Sequence, residues 1–90
     1  VVYSPLGPVA VEVVEDLRDD GQVICGDYNI GTRCIRVRAG MHPATMWQTF
    51  YHEVCHMFLT DAGVKLSKEQ EEAVCDAYGS YRTAELLDQG

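Results

Sequence analysis

The stretch His42–Gly63, HPATMWQTFYHEVCHMFLTDAG, decides how this chain folds. Pro43 stands where a first helical turn accepts proline. Met46, Trp47, Phe50, Tyr51, Val54, Met57 and Phe58 recur at helical spacing, and Gly63 supplies the stop. The spacing predicts a helix with an apolar face. Into it are set His52, Glu53 and His56. Three ionisable groups among residues that favour burial call for a reason.

Upstream the period is two, not 3.6. Pro8–Leu17, PVAVEVVEDL, has the β-branched density of a strand, with Val9, Val11 and Val13 on one face and Glu12 on the other. Arg18–Gln22, RDDGQ, is turn chemistry. The following VICGDYNIGTRCIRVRAG reads as two short strands around a turn at Asn29–Gly31. In the second, Ile35, Val37 and Ala39 alternate with Cys34, Arg36 and Arg38, as in a half-buried strand whose arginines line a solvated edge. Downstream, Ser67-x-x-Gln70 is a capping box that opens a second helix. Ala73, Val74, Ala77, Tyr78, Tyr81 and Ala84 are expected to form its apolar side. Strands precede helices, so the predicted class is α+β, a small three-stranded sheet against two packed helices.

Ninety residues predict one domain, 1–90, with a modest core that gains from a cross-link or a bound metal. The apolar fraction of 47% and charged fraction of 23% are those of a folded chain. A net charge of −7 argues against nucleic acid, and against an anionic membrane surface, because both need clustered Lys and Arg. No apolar run is long enough to cross a bilayer and no leader pattern is visible, so a cytoplasmic location is the expectation. Cys25, Cys34, Cys55 and Cys75 show no C-x-x-C spacing. Without a leader they read as buried free thiols, with no disulfide pairing implied.

His52 and His56 are four apart, close to one turn, so both imidazoles project from one side of the helix. Two ring nitrogens can then reach one metal ion. Glu53 lies about 100° further round, too far to be an easy third ligand but placed to reach a water on the metal. This is H-E-x-x-H, with the glutamate as general base. The blander alternative is a pair of core histidines with Glu53 at the rim. A catalytic zinc site needs a third protein ligand. The pattern H-E-x-x-H-x-x-G-x-x-H is excluded, because Leu59 replaces its glycine and no later histidine exists. The second helix offers Glu72 and Asp76, again four apart. Antiparallel packing across the short VKLSKE connection would bring them to the histidines. Glu72 would complete a His-His-Glu site, and Asp76 would accept a hydrogen bond from a ligand histidine's other nitrogen. Glu69 and Glu71 read as an exposed face.

HEVCH followed by EAVCDAYG resembles the gluzincin pattern of thermolysin-type metallopeptidases, H-E-x-x-H and then E-x-x-x-D on the next helix. Size and strand-before-helix layout are similar to compact ImmA/IrrE-like and phage-type minimal metallopeptidases. The resemblance covers Pro43 to Tyr81. It implies zinc held by His52, His56 and Glu72, Glu53 as base, and Asp76 as the outer carboxylate. Cys55 and Cys75 match no family role and are expected to pack. Larger gluzincins carry a further His or Tyr for the oxyanion from a separate subdomain. Here Tyr28, His42, Tyr78 and Tyr81 are the available stand-ins, though each also reads as an ordinary core or helix-start residue.

The expected function is zinc-dependent peptide hydrolysis, with a peptide or protein substrate as partner. An extended substrate would add to the edge of the Arg33–Ala39 strand. The alternative is a zinc-stabilised binding or regulatory module, against which Glu53 speaks because a structural site has no use for that carboxylate.

Overall fold

The computed structural model of the protein describes residues 1–89. β1 (Val2–Ser4) and β2 (Gly7–Val14) form a hairpin. Ser4 closes its corner: its Oγ accepts from the Leu6 N–H at 3.2 Å and donates to the Gly7 carbonyl at 3.1 Å. β3 (Arg18–Asp19) and β4 (Gln22–Val23) form a second, separate hairpin. Its tip is Asp20–Gly21, with φ of 53° and 80°. Positive φ at both central residues suits the twist of a two-residue hairpin, which is why Asp-Gly serves there. β5 (Gly26–Asn29) and β6 (Cys34–Arg38) follow, then helices α1 (Pro43–Asp61) and α2 (Lys68–Gln89).

The fold is α+β with strands before helices, as expected. The sheet differs: four strands in the order β1-β2-β6-β5, plus the two-stranded hairpin, instead of three strands. β2 and β6 run parallel, while the outer pairs are antiparallel. β6 therefore has a strand on each side and is no edge. The exposed edge beside the helices belongs to β5. Arg36 does not line a solvated edge either; its Nε donates to Asp27 Oδ1, on the neighbouring strand, at 2.9 Å.

Parallel register places Val11 opposite Ile35 and Val13 opposite Val37. Val9, Ile35 and Val37 are buried on one face and pack with Met57 of α1. Met46, Phe50 and Val54 extend that seam along the helix. Trp47 and Phe58, counted into the apolar face from spacing, are instead about half exposed, at 42% and 51%.

Arg33 anchors the far end of α1. Its guanidinium reaches Asp61 Oδ1 and Oδ2 at 3.3 and 3.1 Å, Ser4 Oγ at 2.7 Å and the Gly7 carbonyl at 3.2 Å. One side chain thus ties the β1–β2 corner, the β5–β6 turn and the last turn of α1. The pairing with Arg33 holds the Asp61 carboxyl below the ordinary aspartate range.

α2 opens with the expected capping box. Gln70 N–H donates to Ser67 Oγ and Ser67 N–H to Gln70 Oε1, both at 3.1 Å. Its buried face is not the expected one. Ala73, Val74, Ala77, Tyr81 and Ala84 are exposed, whereas Cys75, Gly79 and Thr83 are buried. Small side chains let α2 approach α1 closely. A Cβ added at Gly79 would lie 2.8 Å from the Gln48 carbonyl oxygen and 3.4 Å from the His52 nitrogen. Neither helix is long and apolar enough to cross a membrane among the described residues.

Candidate metal centre

Close approach of two antiparallel helices sets the centre. His52 and His56 project from α1 towards Glu72 of α2. His52 Nε2 and Glu72 Oε2 are 3.2 Å apart, His56 Nε2 and Glu72 Oε1 3.0 Å, and the two Nε2 atoms 3.0 Å. Both rings are largely buried, with side-chain exposures of 16% and 18%.

The outer ring nitrogens each face a carboxylate. His52 Nδ1–H donates to Asp76 Oδ1 at 2.7 Å, and His56 Nδ1–H donates to Glu71 Oε2 at 2.6 Å. In the tautomer protonated at Nδ1, each ring donates outward to its carboxylate and turns an Nε2 lone pair towards Glu72. Two lone pairs and a carboxylate then converge on one point. Such a set repels itself unless a cation lies among it. Three bonds of about 2.0–2.1 Å at tetrahedral angles separate donors by roughly 3.3 Å, close to the spacings found. His52, His56 and Glu72 therefore form a group that could hold a metal ion.

Glu71, expected on an exposed face, is instead drawn in against His56. It sits one residue before Glu72 and does for His56 what Asp76 does for His52. The signal that could have found it is the symmetry of the motif: two histidines that share an ion would each need an orienting acceptor.

Glu53 is buried, 8% exposed, beside the histidines. It is not one of the three converging donors. Burial pushes its carboxyl above the ordinary glutamate range, and the facing His52 and His56 oppose the shift. Gly26 of β5 packs against the same part of α1. A Cβ there would fall 2.6 Å from Thr49 Cγ2, 2.9 Å from the Arg36 carbonyl oxygen and 3.6 Å from Glu53 Cγ. The edge strand can lie against α1 at this point only because Gly26 has no side chain.

Two openings meet at His52 and Glu53. One, of about 560 Å³, runs along β5 past Asp27, Tyr28, His56 and Glu72. The other, of about 350 Å³, is lined by Cys25, Thr45, Gln48, Thr49 and Asp76. Together they form a groove across the donor cluster, with β5 along one wall.

Of the four oxyanion stand-ins, Tyr28 borders the larger opening and the other three are engaged outside it. His42 caps α1, its Nδ1 accepting from the Ala44 N–H at 3.1 Å. Tyr78 packs edge-on against Tyr51 at 6.3 Å. Tyr81 donates to Glu85 at 3.4 Å. The Tyr28 hydroxyl is buried without a partner, towards Asp61 and Arg33, and burial raises its pKa.

No family model, curated protein or solved structure matches the chain. The functional reading therefore rests on the site itself.

Proposed function

We propose that the chain is a minimal zinc-dependent metallopeptidase. The observation that carries the reading is the convergence of two imidazole lone pairs and a carboxylate beside a buried, otherwise unemployed Glu53. The mixed nitrogen–oxygen donor set suits zinc. Bound there, zinc supplies Lewis acidity, making water a nucleophile near neutral pH and polarising a peptide carbonyl.

The chain's own residues have separable tasks. Glu53 takes the proton as the nucleophile attacks and returns it to the leaving amine. Its burial raises its hold on that proton between the two steps. Asp76 and Glu71 lock the imidazoles in the tautomer that presents Nε2. The outer edge of β5 offers main-chain groups to an extended peptide, which would lie along the groove beside Glu53. That role was assigned from sequence to the Arg33–Ala39 strand, which turns out to be internal.

A second reading keeps the ion as a staple in a binding or regulatory module. It draws on the placement of His42, Tyr78 and Tyr81, each engaged away from the donors, and of Tyr28, whose buried hydroxyl lies by Asp61 and Arg33. One variant separates the two. Glu53→Gln should retain stoichiometric zinc and lose cleavage of a broad, internally quenched peptide library. Zinc-loaded wild-type protein that cleaves nothing in that library would remove the peptidase reading and leave the module.

A further inference from the structure

Cys55 and Cys75 stand in the same relation to the site. Each lies three residues after a metal donor, Cys55 after His52 and Cys75 after Glu72. Residues three apart share a helix face, so each thiol points where its donor points, into the seam between α1 and α2. Both are free and buried, Cys75 completely. Burial, and then the neighbouring Cys55 thiol, push the Cys75 thiol well above the ordinary cysteine range, so exchange at this pair needs the seam between α1 and α2 to open. The register of the helices accounts for their proximity. Gly79 packs against Gln48 and His52. One turn back along α2 is Cys75, and about one turn forward along antiparallel α1 is Cys55.

Helices packed at about 8–10 Å between axes, each with a Cα radius near 2.3 Å, leave roughly 3–5 Å between directly facing Cα atoms. That overlaps the span of about 4.4–6.8 Å that a disulfide bridges.

We propose that Cys55 and Cys75 are a site of reversible disulfide cross-linking, which joins the two helices carrying the metal donors. The co-reactant is a low-molecular-weight disulfide such as glutathione disulfide. Its S–S bond breaks, one S–S bond forms within the chain, and the two cysteine hydrogens leave on two glutathione thiols. The cross-link holds Glu72 near His52 and His56 when no ion is present. It therefore favours recapture of metal after loss. The assignment stands whether or not the centre hydrolyses peptides.

The test is direct, because the four cysteines fall on four different tryptic peptides. Cys55 lies in 39–65 and Cys75 in 69–82, with Cys25 in 19–33 and Cys34 in 34–36. The whole chain, freed of metal with EDTA, is equilibrated with glutathione disulfide, alkylated and digested without reductant. The expected product is 39–65 joined to 69–82. The zinc-free oxidised protein should also melt roughly 10 °C or more above the reduced form, since the loop closed is long enough to restrain the unfolded chain. Dithiothreitol should reverse the gain. The double variant C25S/C34S should behave alike, because both replaced thiols lie off the helices. Recovery of 39–65 and 69–82 as alkylated thiols, or joined to the other cysteine peptides, would overturn the proposal. So would a Cys55–Cys75 bond that brings no rise in melting temperature, since the helices would then have had to distort to form it.

Discussion

Replacing Gly79 by alanine puts the packing of the two helices on trial. Inside an exposed helix, Gly→Ala stabilises by about 1 kcal/mol through propensity alone. Here the new methyl would sit 2.8 Å from a backbone oxygen, that of Gln48. Ordinary contact needs at least half an ångström more, and a backbone atom cannot swing aside. Overpacking of this kind costs about 1–3 kcal/mol. Subtracting the propensity gain leaves a net loss of about 0–2 kcal/mol, centred near 1. For a domain of this size that is a fall in melting temperature of about 4–8 °C. The methyl would also push α2 from α1 two turns from Glu72, so zinc affinity should drop as well. Thermal melts in EDTA and zinc competition against a chromogenic chelator read the two effects separately. A variant about 1 kcal/mol more stable than wild type that binds zinc unchanged would refute the close-approach argument.

Removing zinc should lower the melting temperature by more than about 10 °C, since binding to donors on two helices is folding energy in a small domain; an unchanged melt after verified removal would count against a shared ion. Glu71→Gln and Asp76→Asn should each weaken zinc binding about 10–100-fold while the protein stays folded, which competition titration measures. Equal affinity in both variants would show that the imidazoles need no orienting carboxylate. Asp61 is depressed by its pairing with Arg33, so the stability it lends is present above the unfolded carboxylate pKa and lost as pH falls through the lower folded value. Asp61→Asn should accordingly melt below wild type at pH 7, with the gap closing at strongly acid pH; a gap that persists undiminished there would mean the clamp does not act through charge. Glu53 runs the other way. Its raised pKa makes the buried carboxylate a liability as pH rises above the ordinary glutamate value, so metal-free Glu53→Gln should melt above metal-free wild type at pH 7.

Local geometry explains what was legible beforehand. His52 and His56 are related by one turn of one helix, so spacing alone puts them side by side. Glu72 and Asp76 repeat that relation on the next helix, and a short connection limits where that helix can go. Glu71 was hidden because its partner His56 is fifteen residues away and its neighbour Glu69 is exposed. On α2, helical spacing groups Val74 and Tyr81 with the alanines, whereas close approach to α1 selects the smaller Cys75, Gly79 and Thr83 for the seam. The sheet was undercounted because strands of two or three residues show no alternation. β6 was taken for an edge because its parallel pairing with β2 joins segments more than twenty residues apart, a contact no local pattern records.

Among the described residues, α2 touches α1 but makes no comparable contact with any strand. The sheet and α1 can thus persist as one cooperative block while α2 peels away as another, which is how sub-global opening divides a small domain. Amide exchange in the ion-free protein would then run faster along 68–88 than along the strands. Any cation grasped at the seam would act as a latch whose release exposes the inner flank of that outermost rod.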